Sequence, residues 1–168
     1  KVPWCDGKNH FTNHYAAFLA SWAKDNGMTL YDLLMKIYLD YGFAYQNTIS
    51  VTKPGKSGAD DIKKMMNDFR QNPPKSLGGS PVICIKDYQT LKQTNSDGIK
   101  DIVMPTNSNV LQWFTEDGTK ISVRPSGTEP KIKFYIEVKG EMHCSNCYKS
   151  AVEKAKEKVD AIKADLKI

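Results

Sequence analysis

Three runs near the C-terminal half constrain this chain most. Lys131 to Lys139 alternates Ile132, Phe134, Ile136 and Val138 against Lys131, Lys133, Tyr135 and Glu137. Side chains in a strand point to opposite faces with period two, so the run predicts a strand with one buried and one wet face. Val110 to Thr115 and Thr119 to Arg124 flank Glu116-Asp117-Gly118, a hairpin signal. The three runs together predict an antiparallel sheet, which needs helices or a second sheet to cover its apolar face.

Helical text supplies that cover. Thr29 as N-cap with Asp32 three residues on opens a helix carrying Leu30, Leu33, Leu34, Ile37, Tyr38 and Tyr41 on one face, closed by Gly42. Ser57 and Asp60 open another, with Ala59, Ile62, Met65, Met66 and Phe69 at helical spacing, and Asn72-Pro73-Pro74 ends it. From about Ser145 a third carries Val152, Ala155, Val159, Ile162 and Leu166 on one face, with lysines alternating with acids on the other, which reads as a solvated face. His14 to Lys24 has helical composition up to Asn26-Gly27. Thr48 to Thr52 and Pro81 to Lys86 read as further strands, while Gln89 to Asn109 reads as loop with one short strand at Ile102 to Met104. The fold class expected is α+β, an antiparallel sheet of about four strands packed by helices, with an N-terminal helical piece.

A chain of 168 residues can bury one substantial core with a small satellite. No apolar run approaches the roughly 20 residues that cross a bilayer, so a soluble protein is expected. The net charge of +5 favours acidic ligands but falls short of the dense basic surface of most nucleic-acid binders, suggesting phosphate more than polymer. Cys5, Cys84, Cys144 and Cys147 occur without any Asn-x-Ser/Thr sequon, and reduced thiols in a cytoplasmic protein are expected. The start at Lys1, with no signal-like apolar core behind it, reads as a cut inside a longer chain.

Between two of the strands lies Val123-Arg124-Pro125-Ser126-Gly127-Thr128-Glu129-Pro130-Lys131-Ile132-Lys133. Successive amides around Ser126, Gly127 and Thr128 can form a concave anion nest, with glycine supplying unusual backbone angles and close approach. Two hydroxyls add donors, Arg124 can fork onto phosphate oxygens, and a lysine adds a point charge. An ordinary turn built of common turn residues is the alternative.

The string from Arg124 to Tyr135, preceded by Ser108-Asn109-Val110-Leu111 and Glu116-Asp117-Gly118, resembles the C-terminal domain of the α-D-phosphohexomutases of the bacterial phosphoglucomutase/phosphomannomutase type. The resemblance covers residues 45 to 168 as the fourth domain of such an enzyme, with residues 1 to 41 as the helical end of the third. It implies a TATA-binding-protein-like fold. It also implies that Arg124, Ser126, Gly127 and Thr128 grip the non-reacting phosphate of a phosphosugar, with Lys133 where some relatives carry an arginine. The parent reaction implied is interconversion of hexose 1-phosphate and hexose 6-phosphate through a bisphosphate. The family's phosphoserine loop, its Asp-rich Mg²⁺ loop and its sugar-reading loop do not occur in this sequence. The resemblance thus implies that this stretch is inert alone, with Mg²⁺ and catalysis belonging to the missing N-terminal domains of the same chain.

Other features carry less. Cys144-Ser145-Asn146-Cys147 would need further ligands to hold zinc, and a redox role lacks the strand-then-helix setting of thioredoxin-like proteins. His10 and His14, near Trp4 and Cys5, read as part of the third-domain piece. A nucleic-acid-binding module is the alternative function, and it requires aromatics on the open sheet face, where only Tyr135 is placed for it. Gly42 to Tyr45, with one permissive glycine and no regular pattern, reads as a hinge between the two parts.

Overall fold

In the computed structural model, which describes residues 10–55 and 57–168, an eight-stranded antiparallel sheet is covered on one face by helices. Two helices come first, α1 (His10–Asp25) and α2 (Leu30–Tyr41). Strand β1 (Phe43–Thr52), helix α3 (Gly58–Gln71) and strands β2 (Ser76–Leu77), β3 (Ser80–Asp87), β4 (Lys92–Asn95) and β5 (Gly98–Asp101) follow. Strands β6 (Leu111–Thr115), β7 (Lys120–Pro125) and β8 (Lys131–Gly140) precede a 3₁₀ turn, Ser145–Cys147, and helix α4 (Tyr148–Leu166). The sheet order is β1-β8-β7-β6-β3-β4-β5, with β2 paired to β3. The expected class is met, and eight strands replace the expected four or so.

The alternation of β8 sets the layers. Ile132, Phe134, Ile136 and Val138 are buried, beside Ile121 and Val123 of β7 and Leu111 and Trp113 of β6. Helix α3 brings Ile62, Met66 and Phe69 to this face, the Phe69 ring meeting Trp113 edge-on at 5.2 Å and Phe134 at 6.2 Å. Helix α4 buries Ala151, Ala155, Val159, Ile162 and Leu166 against it. Each fully buried large apolar side chain contributes roughly 1.5 to 3 kcal/mol, so this two-layer face carries most of the stability. Arg70, near the end of α3, is tied to Asp87 of β3 at 3.2 Å and donates to Asn109 at 2.6 Å, both ion-pair partners being largely buried.

Four expectations are corrected. Strand β1 begins at Phe43, whose ring is buried, and Phe43 to Tyr45 pair with Gly140 to Val138, so the expected irregular hinge is regular strand apart from Gly42. Gly42 itself has φ +97, a region open to glycine. The stretch expected as loop contains the β4–β5 hairpin around Ser96-Asp97, and Ile102 to Met104 is not a strand. On α2 the buried residue is Met35, while Leu30, Leu34, Ile37 and Tyr41 of the expected apolar face are exposed. The helix is apolar around most of its circumference, and among the described residues it is covered where it meets α1, β1 and the 3₁₀ turn.

The fourth correction concerns the thiols. Cys144 and Cys147 form a disulfide, and Cys84 is free. A 3₁₀ turn brings the two α-carbons to 5.3 Å, within the range a disulfide spans. The pair also lies between strand β8 and helix α4, the strand-then-helix setting that the spacing alone did not reveal. Trp4 and Cys5 lie outside the described residues.

Candidate functional site at the β7–β8 loop

Pairing of β7 with β8 places the loop at one end of the sheet. In that register Arg124 stands opposite Lys133, and Pro125 opposite Ile132. The neighbouring pair, Val123 and Phe134, faces the core, so Arg124 and Lys133 face the open side with Tyr135. Like charges directly opposite in a sheet repel. Neither cation makes an ion pair or a side-chain hydrogen bond with another described residue.

The loop closes by two main-chain bonds, from the Ser126 amide to the Lys131 carbonyl and from the Lys131 amide to the Glu129 carbonyl, both 2.7 Å. The Ser126 amide is therefore spent. The amides of Gly127, Thr128 and Glu129 donate no such bond to described residues. Gly127 lacks the left-handed backbone expected for a nest. A β-carbon there would meet no atom within 4 Å, so the packing of the protein itself does not call for glycine at this position. Lys131 pairs with Glu129 at 2.6 Å, and that hydrogen bond, with the Lys131 charge behind it, holds the Glu129 carboxyl below the ordinary range. The carboxylate is thereby engaged first by Lys131, with a smaller electrostatic pull from Lys133 and no ion pair to Arg124 or Lys133.

Arg124, Ser126, Gly127, Thr128 and Lys133, the five residues singled out in the sequence, all line one cavity of about 320 Å³. Tyr135 lines it too and is 41% exposed. Sequence reading had placed this ring on the outward face without assigning it to the loop, although its two-residue offset from Lys133 puts both on one side. Behind the loop a second hollow of about 440 Å³ separates it from α3, lined by Gly55, Ala59, Lys63 and Asn109 among others.

The donor set is cations, hydroxyls and amides, which suits an anion. It does not suit Mg²⁺, because the one carboxylate of the loop is already engaged by Lys131. Among the described residues no three His, Cys, Asp or Glu side chains gather closely enough to hold a metal ion.

A helix-backed antiparallel sheet with a cationic, glycine-containing loop at one end defines the class, an α+β domain. Residues 86–154 match the family model described as phosphoglucomutase/phosphomannomutase, C-terminal domain. A phosphoglucomutase of Staphylococcus haemolyticus is 34% identical over 116 residues, covering 68% of this chain and 21% of its own. A phosphoglucomutase of Staphylococcus aureus is 40% identical over 122 residues, covering 71% of this chain and 22% of its own. A solved structure of pp63/parafusin, a phosphoglucomutase from Paramecium in its open form, covers 82% of this chain and 23% of its own at 14% identity and a TM-score of 0.39. That likeness is too low to bear on the site. The chain carries the C-terminal domain of the phosphohexomutase family. It spans only about a fifth of the length of the curated relatives it matches.

Proposed function

We propose that the β7–β8 loop grips the phosphate of a hexose phosphate, and that this domain holds the non-reacting end of the substrate in a mutase interconverting hexose 1-phosphate and hexose 6-phosphate. The observation that carries the reading is the Arg124–Lys133 pair, which makes no ion pair with another described residue, beside the amides of Gly127, Thr128 and Glu129, which donate no main-chain bond to described residues. A dianion between the two cations turns their repulsion into two attractions, each charge-assisted bond contributing roughly 1.5 to 3 kcal/mol. Arg124 can donate two parallel bonds, Lys133 supplies a mobile charge, and the Ser126 and Thr128 hydroxyls complete the shell. The names of the relatives support the phosphosugar as ligand.

In this reading residues 1–41 belong to the preceding domain and residues 45–168 to the phosphate grip. Nucleophile and Mg²⁺ are supplied by other domains, in the cytoplasm. No finding favours a nucleic-acid-binding module.

Titrating the chain with glucose 6-phosphate while recording amide NMR shifts tests the proposal. Shifts clustered at residues 124–135, and lost in Arg124→Ala with the fold unchanged, are expected. Shifts scattered over the sheet, or unchanged in that variant, would overturn it.

A further inference from the structure

The Cys144–Cys147 disulfide lies at the junction between α2 and the sheet domain. It spans the 3₁₀ turn that continues into α4, and α2 lies against that turn. Cys144 is exposed, whereas Cys147 is half-buried and packs on the core. Tyr148, the residue immediately after Cys147, is gripped from three sides. It stacks on Tyr38 of α2 at 6.1 Å with the rings 14° apart, and meets Tyr31 of α2 and Phe43 of β1 edge-on at 6.2 and 6.1 Å. Together with the edge contact of Tyr38 on Phe43 at 5.2 Å and the buried Met35, these contacts join α2 to β1 and α4.

We propose that Cys144–Cys147 is a thiol–disulfide exchange site, with a small-molecule or protein dithiol as its redox partner, and that its oxidation state governs how firmly α2 is held to β1 and α4. A thiolate of the dithiol attacks the accessible Sγ of Cys144 and forms a mixed disulfide. The electron pair of the broken S–S bond leaves on the Sγ of Cys147, which takes up a proton. The second thiol of the partner then displaces Cys144 as thiolate, which is protonated in turn. Two electrons and two protons pass to the protein, and the partner departs as a disulfide.

Structure explains both the attack and its consequence. The start of α4 carries no acidic residue and no side-chain cap, and Lys149 follows Tyr148, so a departing thiolate meets the positive end of the helix and a nearby cation. Glu141 opposes this, but its carboxylate faces His143 at 3.5 Å. While the disulfide is closed, it holds the 3₁₀ turn and with it the uncapped first turn of α4. Once open, that turn has only main-chain bonds to prevent fraying. Tyr148 lies in the part that frays, and its ring contacts with Tyr31 and Tyr38 are what α2 loses, which leaves Tyr38 against Phe43 and Met35 in the core to hold the helix more loosely.

The test is peptide-resolved thiol trapping and hydrogen exchange on the 168-residue chain, with and without dithiothreitol. Expected are protection of Cys144 and Cys147 from alkylation until the dithiol is added, and exchange several-fold faster over residues 30–45 and 145–152 after reduction, with residues 120–138 unchanged. The Cys144→Ser, Cys147→Ser double variant should match the reduced chain with or without dithiol. Alkylation of both cysteines before reduction, or unchanged exchange at residues 30–45 after it, would overturn the proposal.

Discussion

Arg124 and Lys133 stand directly opposite each other across the β7–β8 ladder on the open face, with no anion among the described residues between them. Replacing either cation should therefore relieve repulsion in the empty domain. Lys133→Gln is expected to leave the melting temperature unchanged or to raise stability by a few tenths of a kcal/mol. Added phosphate should raise the melting temperature of the wild type and have much less effect on the variant. Calorimetric melts with and without phosphate check both halves, and equal phosphate-induced shifts would contradict the loop's role.

Local signals in the sequence located the β7–β8 loop and the strands that frame it. Arg124, Ser126, Gly127, Thr128 and Lys133 were legible because they are contiguous or nearly so, and the strands on both sides alternate cleanly. The Thr29–Asp32 cap was legible for the same reason, with both of its partners within one turn. The β4–β5 hairpin was not: Lys92 to Asn95 and Gly98 to Asp101 form the sheet's far edge, bury no face, and so show no period, leaving Asp97-Gly98 as the one turn signal. Residues 43–47 were missed because Gly42 looked like the start of an irregular link, although Phe43 and Tyr45 already alternate toward the core. No spacing rule could tell whether Cys144 and Cys147 close on each other, which depends on the turn between β8 and α4.

The β2–β3 hairpin turns on two glycines of unequal constraint. Gly78 has φ +56 and Gly79 φ +77, but a β-carbon at Gly78 would come within 2.9 Å of Ile162 Cγ1, whereas one at Gly79 would meet nothing. The Gly78 amide also donates to Asp165 of α4 at 2.7 Å. Gly79→Ala should lose about 1 to 2 kcal/mol from the left-handed backbone alone. Gly78→Ala should lose clearly more, because Ile162 has to move, and urea denaturation of the two variants gives the comparison.

Trp113 is fully buried, and its indole Nε1–H has no hydrogen-bond partner among the described residues. An unsatisfied buried donor costs about 1 to 3 kcal/mol, which Trp113→Phe removes together with part of the packing. Trp113→Ala removes the packing outright and should cost about 3 to 5 kcal/mol. The phenylalanine variant is therefore expected to lie much nearer the wild type than to the alanine variant in equilibrium unfolding, and near-equal losses would mean that the indole nitrogen is satisfied in solution.

The start of α2 should respond to acid. Asp32 accepts from the Thr29 hydroxyl at 2.7 Å and from the Thr29 amide at 2.8 Å, while the Asp32 amide donates back to the Thr29 hydroxyl at 3.1 Å. The bond from the Thr29 side chain, then that from its backbone, lowers the Asp32 carboxyl below its ordinary value. A carboxyl depressed in the folded state adds stability at pH above its unfolded value, and that contribution falls away as the pH drops through the folded value. Stability of the first turn of α2 should therefore decline with acidification across that window and be flat above it. Asp32→Asn keeps an acceptor for the Thr29 donors but removes the charge, so it should abolish this slope. Hydrogen exchange at Leu33 and Leu34, followed against pH in both proteins, gives the measurement, and a slope that persists in the asparagine variant would assign the acid sensitivity to another group.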